Sequence, residues 1–128
     1  MNSKLFELFK DKELFLIGGC VRDQLLGLET QDYDFATNAT PDETLDILHK
    51  AGYSTYDVGI VFGTVGFIDD GVKYEITTYR KNESYTRNNR HPVVEWGTTI
   101  FEDLARRDLT INCMALDIKK LIKYYIIK

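Results

Sequence analysis

Short apolar runs alternate along this chain with amphipathic stretches, a pattern typical of a domain that mixes strands and helices. Residues 14–17 are continuously apolar and predict a buried strand. Thr40 and Pro41 open an amphipathic helix that ends at Gly52, since a threonine N-cap and a proline in the first turn favour helix initiation. Alternating runs on both sides of the turn at 69–71 predict a β-hairpin.

The same patterns predict the other elements. Helices are expected at 3–10, 21–26 and 101–105, and an apolar helix containing Cys113 is expected at 111–116. Strands are expected at 31–36, 62–68 and 72–79, with 54–58 beginning the hairpin region and a β-rich end at 116–128. Residues 81–92 are poor in apolar side chains and predict a loop that orders over substrate. The expected fold class is α+β, with a mixed, mainly antiparallel sheet flanked by helices.

A pair of glycines, Gly18 and Gly19, follows the first predicted strand and precedes a helix. Backbone N–H groups at such a turn are free to bind an anion. Arg22 lies one helical turn beyond Gly19 and can reach the same anion. Taken alone, a Gly-Gly pair is more often only a turn, so it indicates an anion-binding site only in combination with other functional motifs.

Two acidic residues, Asp32 and Asp34, alternate with apolar residues on the next predicted strand. Side chains alternate across a strand, so both carboxylates share one face about 7 Å apart. Carboxylate oxygens are ligands that Mg²⁺ prefers. Asp-x-Asp is also common in turns and on solvated strands, and that interpretation stays open for the pair alone.

A third acid, Glu75, lies on the polar side of the second hairpin strand. If the hairpin pairs beside the strand of Asp32 and Asp34, Glu75 joins them. Three carboxylates in one cleft repel one another and require raised pKa values or bound cations. The alternative is that Glu75 forms an ion pair with Lys73 or Arg80 on a solvated sheet face.

An arginine pair follows the short helix at 101–105, and Asp108 comes next. Paired arginines at a helix end suit bidentate recognition of phosphate oxygens, and Asp108 can accept a hydrogen bond from a ribose hydroxyl or orient Arg107. The alternative is a network of ion pairs on a solvated helix face, formed by Glu102, Asp103, Arg106 and Asp108.

These motifs occur in one order: GGxVRDxLLG at 18–27, DxD at 32–34, EITTYR at 75–80, RHP at 90–92 and DLARRDLTIN at 103–112. In this order the chain resembles, from about residue 14 to 117, the head domain of the class II tRNA nucleotidyltransferases. That family comprises the CCA-adding enzymes and their bacterial poly(A) polymerase relatives, within the polymerase-β-like nucleotidyltransferase superfamily.

The resemblance implies Mg²⁺-dependent transfer of nucleotides from CTP or ATP to an RNA 3′ end, and CCA addition to tRNA is the favoured form of this reaction. It implies that Asp32, Asp34 and Glu75 carry the catalytic Mg²⁺ ions. It also implies nucleotide contacts from the glycine turn and from both arginine motifs, at Gly18, Gly19, Arg22, Arg107, Asp108 and Asn112. The alternatives are a poly(A) polymerase-type head, a non-catalytic nucleotide- or metal-binding module, and a structural interaction domain with a solvated acidic cluster.

Composition limits the remaining choices. With 128 residues, 44% of them hydrophobic, the chain is expected to be a single catalytic head, lacking the family's neck, body and tail. A net charge of −4 argues against a broad electrostatic grip on RNA, so binding of tRNA is expected to need those other regions. Two distant cysteines and no recognisable secretory or membrane-spanning segment predict a cytoplasmic protein without a membrane partner.

Overall fold

A seven-stranded sheet forms the centre of the described structure, a computed structural model that covers residues 4–84, 93–105, 114–117 and 123–126. The helices are α1 (Lys4–Leu8), α2 (Gly19–Leu25), α3 (Pro41–Lys50) and α4 (Ile100–Ala105), with a 3₁₀ turn at Ile60–Phe62. The strands are β1 (Leu14–Ile17), β2 (Asp32–Thr37), β3 (Thr55–Gly59), β4 (Thr64–Asp69), β5 (Val72–Thr78), β6 (Arg80–Ser84), β7 (Val93–Trp96), β8 (Met114–Asp117) and β9 (Lys123–Ile126).

The strand order in this sheet is β3-β4-β5-β2-β1-β8-β9, and β6 pairs with β7 in a separate two-stranded sheet. Strands β2 and β5 pair in parallel, whereas the other neighbours are antiparallel. A parallel pair needs a long crossover connection, and α3, β3 and β4 supply it here. The prediction of a mixed, mainly antiparallel sheet flanked by helices is confirmed.

One face of the sheet carries the main apolar core. Tyr33 and Phe35 of β2 lie beside Tyr74 of β5, and Phe67 of β4 continues the row. The ring centroids are 5.5 Å apart for Tyr33 and Tyr74 and 4.9 Å apart for Phe67 and Tyr74. Helix α1 contributes Leu5 to this core, so the aromatic rows are sealed from water.

The opposite face is divided into two parts. At one part Phe15 and Ala36 pack with Tyr79 against Ile100 and Leu104 of α4 in a second apolar cluster. The other part, toward the start of β2, carries the acidic residues at positions 32, 34 and 75 and is open to solvent. The second cluster therefore borders the charged region without covering it.

Helix α3 begins where the sequence predicts. Thr40 Oγ1 accepts a hydrogen bond from the Glu43 N–H at 3.2 Å, and Glu43 Oε1 accepts one from the Thr40 N–H at 3.0 Å. These reciprocal bonds satisfy two backbone donors at the helix start. Gly52 follows the helix with a φ of 89°, a conformation that glycine adopts without steric cost.

Two predictions about local structure are wrong. Met114–Asp117 is strand β8 and pairs with β1, so the helix predicted at 111–116 does not hold from Met114 onward. A short apolar run has no period that separates strand from helix, and the open edge of β1 decides the outcome. Arg80–Ser84 is strand β6, paired with β7, whereas a loop was predicted from residue 81 onward. Pairing of backbone groups overrides the low apolar content there.

Some predicted features lie outside the described residues, among them most of the loop at 81–92, the segment 106–113 and the residues between β8 and β9. Strand β9 agrees with the predicted β-rich end over its own four residues. None of the helices in the described ranges has the length and apolar content that a membrane span requires.

Candidate active site

The glycine turn joins β1 to α2 as predicted. Gly18 precedes the helix with a φ of 74°, and no side chain caps the helix start. The first N–H groups of a helix have no partner within the helix, although the Val21 N–H bonds the Gly18 carbonyl at 3.1 Å. The turn therefore offers backbone donors at the edge of the sheet where β1 meets β2.

A buried thiol fixes this turn to the strand of carboxylates. Cys20 Sγ donates to the Ile17 carbonyl at 2.8 Å and accepts from the Asp34 N–H at 3.5 Å. Burial raises the pKa of the Cys20 thiol to about 11, so it stays neutral. As a result Asp34 Oδ2 lies 4.0 Å from the point that a Cβ on Gly18 would occupy. No local pattern in the sequence predicts this contact between the Cys20 thiol and Asp34.

The carboxylates come together through the parallel pairing of β2 and β5. Asp34 is the register partner of Glu75, and Asp32 is the register partner of Lys73. These four side chains line one open pocket of about 260 Å³ together with Tyr33. The conditional prediction that the hairpin would pair beside the Asp-x-Asp strand is confirmed.

The three carboxylates suit a hard divalent cation by their chemistry. They supply only oxygen donors, which Mg²⁺ prefers, and they line an open pocket. Among the residues that the structure describes, no three Asp, Glu, His or Cys side chains are gathered closely enough to form a ready-made metal site.

The alternative role of Glu75, an ion pair with Lys73, does not occur in the described part of the chain. Lys73 instead lines the same pocket as the three acids. From the sequence, this lysine was expected only as an alternative ion-pair partner of Glu75 on a solvated face. Strand alternation could place it on the correct face, but only the parallel register sets it opposite Asp32.

Arg22 lies near the glycine turn, as its spacing predicts. Its Nη2 atom is 3.5 Å from the point where a Cβ on Gly19 would lie. The guanidinium Nε and Nη2 both donate to Asp23 Oδ1 at 3.2 Å. Half of the Arg22 side chain is exposed, so the guanidinium is accessible to an anion at the turn.

The helix before the second arginine motif is firmly placed. Asp103 is buried and accepts a hydrogen bond from the Arg80 N–H at 2.9 Å. Glu102 Oε1 accepts from the Thr98 and Thr99 N–H groups at 3.0 and 3.2 Å. Asp103 is therefore not part of a solvated ion-pair face. The other predicted residues of this motif, Arg106, Arg107, Asp108 and Asn112, lie outside the described residues, and their roles stay predictions.

Tyr56 of β3 lies in the same cross-strand row as Glu75, and this position was not predicted from the sequence. Gly66 is the register partner of both Glu75 and Tyr56. A Cβ on Gly66 would lie 2.7 Å from Tyr56 Cε2 and Cζ, so the Tyr56 ring occupies the space above this glycine. The missing side chain of Gly66 leaves room for the Tyr56 ring of the neighbouring strand, a form of cross-strand packing.

The family model described as the poly A polymerase head domain matches residues 14–125 of this chain. A CCA-adding enzyme of Bacillus pumilus is 47% identical over 106 residues, which make up 83% of this chain and 26% of that protein. The chain thus spans about a quarter of the length of the curated relatives that it matches.

Solved structures agree with this match. The Bacillus stearothermophilus CCA-adding enzyme in complex with CTP superposes with a TM-score of 0.68 at 34% identity, covering 89% of this chain and 26% of that one. A tRNA nucleotidyltransferase complexed with a primer tRNA and an incoming ATP analog superposes with a TM-score of 0.63 at 27% identity, covering 90% and 30%. The predicted fold, a polymerase-β-like nucleotidyltransferase head, is confirmed.

Proposed function

The chain belongs to the poly A polymerase head domain family, and from that membership we propose that it is the catalytic head of a nucleotidyltransferase. The reaction proposed is transfer of nucleotides from CTP or ATP to an RNA 3′ end, with CCA addition to tRNA as the specific form. One observation carries the proposal: the parallel pairing of β2 and β5 lines a single pocket with Asp32, Asp34 and Glu75 beside the glycine turn.

The choice of CCA addition over poly(A) addition is supported by relatives. The Bacillus pumilus protein is named a CCA-adding enzyme, and the superposed Bacillus stearothermophilus enzyme was solved with CTP. A poly(A) polymerase-type head would use the same carboxylates and the same glycine turn. The pocket as described therefore supports the transfer chemistry, and the relatives support the choice of nucleotide and RNA.

Asp32, Asp34 and Glu75 are the residues that would hold Mg²⁺, because they are the carboxylates that line the pocket. Bound Mg²⁺ supplies charge neutralisation for the triphosphate and lowers the pKa of a nearby hydroxyl. The protein positions the donors: β2 holds two carboxylates and β5 holds the third in fixed register. Neutralising any one of them removes a donor without disturbing the apolar face of the same strand.

The triphosphate would lie toward β1, where Gly18 and Gly19 present backbone N–H groups and Arg22 is within reach. Backbone donors and a guanidinium together suit phosphate oxygens. Arg107, Asp108 and Asn112 are proposed as further contacts to phosphate and ribose, on the strength of the sequence motif alone.

The proposed RNA partner is a tRNA acceptor end, held in part by protein regions beyond this head. The net charge of −4 gives the head little general attraction for RNA. We also infer a cytoplasmic location, because Cys20 is a free thiol and structural thiols persist in reducing compartments.

The test uses thermal unfolding with Mg²⁺ and ATP added together. Ligand that binds only the native state raises the melting temperature by mass action. We expect a clear rise for the wild-type chain and none for Asp32→Asn or Asp34→Asn. Asp11→Asn, an exposed aspartate away from the pocket, is the matched control and should behave as wild type. Equal stabilisation of all four proteins would refute the assignment of the pocket.

A further inference from the structure

Lys73 occupies an unusual position in the pocket. It stands on β5 directly opposite Asp32 of β2, and it shares its strand face with Glu75 two residues further on. It lines the pocket with all three carboxylates, yet in the described residues no ion pair joins it to any of them. Lys73 is exposed at the pocket wall, with its ammonium group available to an incoming anion.

A lysine at this point is unfavourable for a site that only binds metal. Its positive charge repels a divalent cation held by the same carboxylates, and among the described residues no ion pair joins the ammonium group to one of them. An anion that enters the pocket together with the cation would attract the lysine, and this attraction would offset the repulsion between lysine and cation. Lysine is a common phosphate ligand, acting as a compact point charge.

The order of the strands indicates which substrate phosphate Lys73 would bind. In an in-line displacement the attacking oxygen and the leaving pyrophosphate lie on opposite sides of the reacting phosphorus. Gly18, Gly19 and Arg22 lie on the β1 side of Asp34, whereas Lys73 lies on the β5 side. If the triphosphate lies toward β1, the RNA whose 3′-hydroxyl attacks must approach from the side of β5.

We propose that Lys73 binds the backbone phosphate that precedes the 3′-terminal nucleotide of the RNA. This proposal rests on the proposed function and adds a substrate-binding residue to it. The contact holds the RNA end on the side of the pocket opposite the triphosphate turn. It predicts that Lys73 affects the affinity for RNA and leaves the affinity for the nucleotide unchanged.

The experiment measures two affinities for the 128-residue chain with Mg²⁺ present. ATP binding is followed by calorimetry, and binding of a short single-stranded RNA with a free 3′-hydroxyl is followed by fluorescence anisotropy. For Lys73→Ala we expect RNA affinity to fall about 3- to 10-fold at low salt, and the salt slope to decrease by about 0.7, the value for one phosphate contact on a single strand. ATP affinity should change by less than about twofold.

Two controls separate a specific contact from a loss of general charge. Lys10→Ala removes one exposed lysine that follows α1, on the apolar-core side of the sheet, and should leave both affinities unchanged. Lys73→Arg keeps the charge and should restore most of the RNA affinity.

A second RNA carries an uncharged methylphosphonate at its last linkage, with a 2′-O-methyl group to protect it. With this RNA, wild type and Lys73→Ala should bind equally.

The outcomes distinguish this proposal from the proposed function. If the wild-type chain shows no Mg²⁺-dependent ATP binding, the proposed function fails. If ATP binds normally but Lys73→Ala leaves RNA affinity unaltered, or wild type does not bind the RNA, the Lys73 proposal is overturned and the nucleotide site stands. If Lys73→Ala weakens ATP more than RNA, Lys73 contacts the triphosphate and the proposed orientation of the RNA is wrong.

Discussion

Strands β2 and β5 have two faces that differ in almost every physical respect. On one face Tyr33, Phe35 and Tyr74 are buried and their rings stack. On the other face, one residue away along the same strands, Asp32 and Glu75 line an open pocket. The apolar face is packed on several sides by other elements, whereas the charged face meets solvent.

Strand alternation places the residues that stabilise the fold on one face and the residues proposed for chemistry on the other. Burial of large aromatic side chains supplies a main part of the free energy of folding. Carboxylates on the open face add no packing and repel one another when no cation is present. Substitutions on the two faces should therefore change different measured quantities, even though they lie on neighbouring residues.

The largest effect is expected for Phe35→Ala. Phe35 is 0% exposed, and truncating a buried phenylalanine costs about 3–5 kcal/mol in the free energy of unfolding. Phe101→Ala is the matched control, because Phe101 is 53% exposed and should lose less than about 1 kcal/mol. Urea unfolding followed by circular dichroism measures both. Similar losses for the two variants would contradict the separation of the faces.

A smaller effect of opposite sign is expected for Glu75→Gln. Two unscreened carboxylates about 5 Å apart repel by about 3 kcal/mol at an effective dielectric near 20, and an open pocket screens much of this. We expect the free energy of unfolding without Mg²⁺ to be unchanged or to rise by up to about 1 kcal/mol. The stabilisation by Mg²⁺ and ATP should disappear. Glu29→Gln, at an exposed position, should show neither effect. A clear loss of stability in Glu75→Gln would show that this carboxylate has a structural partner.

The smallest effect concerns a carboxylate that does have partners. The Lys12 ammonium, 2.7 Å from Glu43 Oε2, and the Thr40 N–H lower the pKa of Glu43 to about 2. A depressed folded-state pKa gives stability that is present above the unfolded value near 4.5 and is lost as the pH falls toward 2. Because Glu43 is largely exposed, the effect is small.

The measurement compares the free energy of unfolding of wild type and Glu43→Gln between about pH 5 and about pH 2. Wild type should lose more stability than the variant as the pH falls. Asp46→Asn serves as control, since its partner Lys50 forms only an exposed i,i+4 pair. Parallel curves for wild type and Glu43→Gln would mean that the Lys12 contact does not persist in solution.

Local signals in the sequence predicted the parts of the site that depend on neighbouring residues. The turn at Gly18 requires a positive φ, and the alternation of Asp32 with Tyr33 follows from strand geometry. The cap at Thr40 depends on residues within one turn of it. Each of these is fixed by a few consecutive residues, which is why the sequence alone reveals them.

Other parts of the site depend on partners distant along the chain. Lys73 enters the pocket only because β5 pairs in parallel register with β2. Strand β8 exists because it pairs with the edge of β1. The thiol of Cys20 reaches Asp34 only after α2 has folded back onto the sheet. Sequence periodicity carries no information on which strands pair, so these features could not be predicted from it.

The parallel pairing of β2 with β5 also has a consequence for how the chain folds. Asp34 and Glu75 are separated by all of α3, β3 and β4, so their pairing closes a long loop and belongs to the slower class of folding steps. The hairpin of β4 and β5 and the capped helix α3 are local and can form earlier. During synthesis, the pocket cannot exist until the ribosome has released the chain through β5. The proposed nucleotide binding therefore requires that β5 has been synthesised and has paired with β2.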